Sequence, residues 1–277
     1  MKNILMSIFI LITAALFSFV AQAENKKVLL VSDIDDTIKV SHILNPIGAV
    51  ARAGNVYMPF TGMSDLYKLI INQNPSSTRM IYLSNAPEKI AGISLMRFLH
   101  EKFLIQNDFP KGDLLLRESL SEKNHKIKTI RKLVAEEKPD IVIMVGDNGE
   151  QDNKIYEQAA KELKAMGIHS ETYIHQLYSI KNKFIETGKP LLGGEIGYVT
   201  PFEIALDLKN KKWLDQASID WMIENIMPPI LEENSMESDT SGPITFPSFI
   251  KCSDFKWTVI VPPELLELSS KINKICR

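Results

Sequence analysis

Three short strings carry residue types suited to phosphate or metal chemistry. Asp33-x-Asp35-x-Thr37 closes the apolar run from Val28 to Ile34, Ser84-Asn85 follows Arg79 to Leu83, and Gly146-Asp147-x-x-x-x-Asp152 follows Ile141 to Val145. Two carboxylates about 4 Å apart repel by about 4 kcal/mol at an effective dielectric of ~20, so acidic groups gathered in one place call for a divalent cation. An all-oxygen set completed by waters and a substrate phosphate suits Mg²⁺ better than Ca²⁺. A calcium loop of the EF-hand kind fails by count. It needs Gly at its sixth position, where Ile38 stands counting from Asp33 and Asp152 counting from Asp147, and Gln158 takes the twelfth place of the second window. Taken alone, Asp33 to Thr37 reads equally well as a polar turn capping a helix, and the later acidic string argues against that.

For these strings to meet, the chain must bring distant segments to one edge. Apolar runs at Val28 to Ile34, Arg79 to Leu83, Asp113 to Arg117, Ile141 to Val145 and, more weakly, Thr172 to Leu177 read as strands. Helical patterns over Gly62 to Asn72, Pro87 to Phe103, Lys126 to Glu136 and Asn153 to Met166 alternate with them, the last closed by Gly167. Alternation of this kind predicts an α/β fold, a doubly wound parallel sheet of about five strands, with ligands beyond the C-terminal strand ends. The stretch between Thr37 and the second strand leaves room for a flap of about 20 residues but no separate cap domain. Lys39, His42 and Arg52 in this flap are candidates to meet a phosphate, though a surface His or Arg is more often simply solvated.

The 277 residues are 45% hydrophobic and 24% charged, with a formal charge of −2, which supports a sizeable core and argues against nucleic acid as a partner. After Lys2, an uncharged, largely apolar stretch ends in Ala21-Gln22-Ala23, the pattern of a secretory signal cleaved near Ala23; an uncleaved anchor is the less fitting alternative. The expected organisation is therefore residues 1–23 as signal peptide, 24–200 as the α/β domain and 201–277 as a C-terminal extension, with the mature protein exported to the periplasm or beyond. In an oxidising compartment Cys252 and Cys276 would pair as a structural disulfide, while a zinc site has no support. Within the extension, Trp213 to Met227 reads as a helix, Pro228 to Pro247 as a linker, Trp257 to Val261 as a strand and Pro263 to Ile275 as a helix. Trp213, Trp221 and Trp257 are expected to pack on the main domain rather than form an acyl-binding patch.

In this order, and with a lysine opening a helix between the second and third strings, the motifs resemble those of the haloacid dehalogenase superfamily of phosphatases. More narrowly, Ser32 to Lys39, Leu83 to Pro87, Phe109 to Gly112 with Leu116-Arg117, and Val145 to Asp152 are similar to the catalytic domain of the actin-patch-associated phosphatidate phosphatases, over about residues 27 to 180. The resemblance implies Asp33 as nucleophile and Asp35 as general acid and base, which also suits a carboxyl whose pKa rises near anionic neighbours. It implies Ser84 and Asn85 on the phosphoryl oxygens with Thr37 as a further substrate contact, and Lys126 balancing the charge, with Lys128 as competitor. Asp33, Asp35 through its carbonyl, Asp147 and, less directly, Asp152 would hold Mg²⁺; Asp36 would point away, and Glu150 is left open. His175 stands where an arginine is expected. The implied activity is hydrolysis of a phosphomonoester, phosphatidate or a related lipid phosphate, possible at a membrane surface and without a protein partner. The alternatives are a small soluble phosphomonoester or a binder without turnover, and the second carboxylate, Asp35, argues against the binder.

Overall fold

The computed structural model of the chain describes residues 26–74, 76–90, 92–119, 121–181, 186–234 and 242–277. The signal-peptide expectation, with its cleavage point, lies outside the described residues, as does part of the expected linker. Among the described residues, no helix is long and apolar enough to cross a membrane.

The strands are β1 (Val28–Ser32), β2 (Thr78–Pro87), β3 (Asp113–Arg117), β4 (Ile141–Asp147), β5 (His169–His175) and β6 (Ile196–Tyr198). They form one sheet in the order β3-β2-β1-β4-β5-β6, every neighbouring pair parallel. β1 lies near the centre with every residue buried, which is why it reads as an unbroken apolar run instead of an alternating one. Its side chains alternate between two cores: Val28 and Leu30 join one, Leu29 and Val31 the other.

The helices are α1 (Pro46–Ala53), α2 (Met63–Gln73), α3 (Leu95–Gln106), α4 (His125–Glu137), α5 (Asp152–Ala165), α6 (Pro201–Asn210), α7 (Gln216–Asn225), α8 (Met227–Glu232) and α9 (Leu266–Ile275). α4 and α5 cover one face through Ile127, Ile130, Leu133, Tyr156, Ala159 and Leu163. α2, α3 and the helices after β6 cover the other, so the sheet is wound on both sides. Phe202, Met222, Ile230, Phe246, Leu265 and Ile272 of the C-terminal third join the same core as Val28 and Leu30 of β1.

Several elements differ from the sequence reading: α1 and α6 are helices it lacked, and α8 occupies the start of the expected linker, where the apolar Met227, Ile230 and Leu231 pack on the core. β6 is a sixth strand, only three residues long, whose Ile196-Gly197-Tyr198 is too brief to register as an apolar run. The helix expected from Pro87 begins at Leu95, because β2 runs on to Pro87 with a register irregularity after Ser84 and a tight turn intervenes. Trp257 to Val261 is not a strand. Trp257, Val259 and Val261 alternate inward onto the core as a strand would, but the segment has no sheet neighbour and ends at Pro262-Pro263. Cys252 and Cys276 are disulfide-bonded. Trp213 and Trp257 pack on the core, whereas Trp221 is not among the core-packed residues and stays 41% exposed.

The flap is a hairpin. Val40 N–H bonds Met58 C=O and Phe60 N–H bonds Ile38 C=O, both at 2.9 Å, and α1 lies between the two stems. Asn45 caps α1, its side chain accepting from Ile47 and Gly48 N–H, with Pro46 in the first turn. Pro59 and Thr61 in turn bond the segment around Ile244, fixing the base of the flap to the C-terminal third.

Candidate active site

Register brings the acidic strings together. Ser32 of β1 stands opposite Val145 of β4, and Asp33 N–H donates to Val145 C=O at 2.9 Å, so the residues that leave the two strands are neighbours. Ligand oxygens of Asp33, Asp147 and Asp152 lie within 4.8 Å of one another, all three residues buried. Asp152 opens α5, and Gly146 permits its approach: a Cβ there would stand 2.5 Å from Asp152 Oδ2 and 2.7 Å from the Tyr156 ring. Asp147 Oδ1 accepts from Gly149 N–H at 2.5 Å, which orients this carboxylate.

Lys126, in the first turn of α4, is the cation of the group. Its Nζ donates to Asp33 Oδ1 at 2.7 Å and to Asp152 Oδ1 at 2.5 Å. Burial alone would lower its pKa, but Asp152 and Asp33 overcome that and hold the ammonium well above its usual value. Lys128 is exposed and lies 3.8 Å from Glu122, away from this cluster. Burial raises the carboxyl of Asp33, against the pull of Lys126, and raises those of Asp147 and Asp152 as well. Three carboxylates and one ammonium leave a deficit of two positive charges when all are ionised. Asp152 Oδ2 is buried without a hydrogen-bond partner. An orphaned oxygen, an all-oxygen donor set and a charge deficit of two fit a divalent cation.

Other expected residues fall around this centre. Thr37 donates its hydroxyl to Asp33 Oδ2 at 3.1 Å. Ser84 is buried and accepts from Ala86 N–H at 3.0 Å; Asn85 donates to Glu150 Oε2 at 3.0 Å, which links the ends of β2 and β4 and gives Glu150 a place at the rim. The Asp35 side chain is not in the carboxylate cluster. Its Oδ1 accepts from Ser41 Oγ at 2.6 Å with Lys39 Nζ at 3.7 Å, and its Oδ2 faces His100. Burial pushes Asp35 up, but His100, Lys39 and the Ser41 hydroxyl outweigh it and hold the carboxyl below its usual value. The expected upward shift thus falls on Asp33 and not on Asp35.

The flap cations do not meet the site as free phosphate ligands. Lys39 is buried and donates to Ala53 C=O at 3.2 Å. His42 stacks on Phe249 at 4.0 Å and lies 3.2 Å from Glu186, while Arg52 lies over the same Phe249 ring. His175 is a core residue, stacked on Tyr198 at 4.6 Å with its Nδ1 donating to Asp36 C=O at 2.9 Å.

Asp36 does point away from the carboxylate cluster, but toward a task the sequence reading lacked. Its Oδ1 accepts from Ser41 and His42 N–H and its Oδ2 from Ile43 N–H, each at 2.8 Å, and Tyr178 Oη also donates to Oδ2. Asn148 holds the loop after β5 in a similar way, its Oδ1 accepting from Leu177 and Tyr178 N–H. Both residues sit inside the acidic strings. Their neighbourhood marked them, but nothing in residue type distinguished a backbone clamp from a ligand.

Buried carboxylates and a lysine thus gather at the C-terminal edge of a parallel α/β sheet, where such folds bind their ligands. Residues 28–166, half of the chain, match the family model described as "Phosphatidate phosphatase APP1, catalytic domain". The chain belongs to that family, and it is a phosphatase, a hydrolase of phosphomonoesters. Among solved structures, the chain is similar to the class C acid phosphatase of Bacillus anthracis with tungstate bound, at a TM-score of 0.36 and 19% identity over 76% of this chain and 84% of that one. A second structure of the class C acid phosphatase from the same organism gives a TM-score of 0.37 and 18% identity over the same shares. A search of the curated proteins found no match.

Proposed function

We propose that the chain is a Mg²⁺-dependent phosphomonoesterase that works through an aspartyl-phosphate on Asp33 and acts on phosphatidate or a related lipid phosphate. The observation that carries this reading is the convergence of Asp33, Asp147 and Asp152 within 4.8 Å, with Lys126 bound to two of them. Asp33, Asp147, Asp152 and the Asp35 carbonyl would hold the cation, which when bound offsets the charge of the carboxylates and of the phosphoryl oxygens.

The chain's own groups account for the remaining chemistry. Thr37 and Lys126 fix both oxygens of Asp33, so the carboxylate is pre-oriented for in-line attack on phosphorus. As the bond from phosphorus to the leaving oxygen breaks, the Asp35 carboxyl supplies the proton that oxygen needs. In the second half, Asp35 takes a proton from the water that attacks the acyl phosphate, releasing inorganic phosphate and freeing Asp33. A substrate dianion in the mouth raises Asp35 toward the protonated form that the first step requires. Ser84 and Asn85, near the end of β2, would donate to phosphoryl oxygens.

For the lipid, the support is a set of exposed apolar side chains in the segment that follows β2. Just beyond β2, Ile90 and Ile93 exchange both N–H···O=C bonds across a tight turn, and Leu95 and Phe98 continue the exposed row onto α3. Exposed apolar side chains on the segment leaving β2 suit a substrate whose chains stay in an apolar phase. Export after cleavage near Ala23 is part of the same proposal, supported by the Cys252–Cys276 bond, which persists in an oxidising compartment.

The test is phosphate release by the purified protein with Mg²⁺, from para-nitrophenyl phosphate and from phosphatidate in mixed micelles, alongside Asp33→Asn. Wild type should turn over both, and the variant should lose at least about a thousandfold on each. Equal release from the two proteins would remove Asp33 as nucleophile. Turnover of the aryl ester alone would favour a small soluble phosphomonoester as substrate.

A further inference from the structure

α3 buries His100, Phe103 and Leu104, a spacing that marks the core-facing stripe of an amphipathic helix. His100 is wholly enclosed, and neither of its ring nitrogens has a hydrogen-bond partner. Leucine would fill this place without leaving polar atoms dry, so packing alone gives no reason for an imidazole here. Among the polar groups facing it, Asp35 stands out. His100 Nε2 lies 3.7 Å from Asp35 Oδ2, while Asp35 Oδ1 is already engaged by the Ser41 hydroxyl at 2.6 Å. A separation of 3.7 Å is too long for a hydrogen bond, but catalytic hydrogen bonds are often long before substrate arrives and tighten in the complex.

We infer that His100 is a positioning residue for Asp35: Nε2–H closes on Oδ2 when substrate fills the mouth and, with Ser41 on Oδ1, holds the carboxyl plane against the leaving oxygen. The inference rests on the reading of Asp35 as general acid. His100 lies outside the Asp33, Asp147 and Asp152 cluster, on a helix outside every acidic string of the sequence. Its contribution is to the aim of a proton donor, so it should grow with the need of the leaving group for a proton.

That need separates a positioning role from a structural one. An alkyl phosphate leaves as a strongly basic alkoxide unless protonated, whereas para-nitrophenolate leaves readily without help. His100→Leu and His100→Met both remove the N–H at similar volume, and His100→Gln returns an amide N–H near the place of Nε2. With glycerol 3-phosphate or another alkyl phosphomonoester, the first two should lower kcat about thirtyfold with KM within about twofold, while kcat on para-nitrophenyl phosphate falls less than about threefold. His100→Gln should recover most of the alkyl activity. Asp35→Asn, measured in parallel, should show the same leaving-group dependence more steeply. Equal losses on both substrates in His100→Leu and His100→Met, or no rescue by His100→Gln, would overturn the inference while leaving Asp35 in place. Failure of both apolar variants to fold would overturn it too, since the imidazole would then belong to the core. A flat leaving-group dependence in Asp35→Asn would instead remove the general-acid reading itself.

Discussion

Asp33 looks into a cluster of carboxylates, while Asp36, three residues on, looks into a fan of peptide N–H groups. The difference is set by the backbone: Asp36 has φ of 58°, a left-handed conformation that Asp tolerates better than most residues, and it turns the side chain under the flap. Three N–H donors and the Tyr178 hydroxyl then make one buried carboxylate the anchor of residues 41–43. In Asp36→Asn, one oxygen can still accept from Ser41 and His42, but the amide NH₂ is forced against the Ile43 N–H and the Tyr178 hydroxyl. We expect a loss of about 3 kcal/mol, read as a lower urea midpoint at unchanged slope; an unchanged midpoint would show that the flap is held elsewhere. Legibility at this scale follows physical type. Asp33, Asp147 and Asp152 were readable because acidic groups directly behind apolar runs have few other uses, whereas Lys126 was singled out over Lys128 only by the family resemblance. His100 and the clamping role of Asp36 were not, since burial and partner geometry give them their meaning, and neither is encoded in a residue and its spacing.

Elements were legible where a run was long and apolar. β1 and β4 stood out for that reason, and helices α4 and α5 for their periodicity. β6 escaped because three residues carry no period, and its place at the sheet edge is secured from outside by α6, which follows it directly. That helix begins with a capping box: Thr200 accepts from Phe202 N–H, and Glu203 Oε2 accepts from Thr200 N–H at 3.1 Å. Glu203 is buried, and burial lifts its carboxyl from the usual 4.5 to about 7. An unfolded chain loses this proton near pH 4.5 and the folded one near 7. Between those values the folded state holds a proton the unfolded state lacks, so stability is full below about pH 4.5 and falls as pH rises through 7, by up to about 3 kcal/mol. Glu203→Gln keeps the acceptor and removes the charge. Denaturation at pH 4.5 and at pH 8 should therefore show the variant matching wild type at the lower pH and exceeding it at the higher. A constant difference across both would mean that the cap, and not the ionisation, governs the effect.

On the scale of the whole molecule, the last third reaches back to the catalytic edge. Lys251 N–H donates to Leu177 C=O at 2.8 Å, next to the loop that Asn148 clamps, and the neighbouring Cys252 is bonded to Cys276 at the end of α9. Cutting this bond frees a loop of 24 residues, worth about 3 kcal/mol on the chain-entropy account. Reduction by dithiothreitol should lower the melting temperature by several degrees, and the double change Cys252→Ser with Cys276→Ser should reproduce it; a melting temperature indifferent to both would show that the core alone fastens the segment. The sheet order carries a further consequence. Val28 pairs with Thr78 on one side and with Ile141 on the other, so the central strand gains its second neighbour only after more than a hundred further residues have been made. A polypeptide emerging in order has no means of closing its middle early, and the native topology forms late and slowly, as pairings distant along the chain must.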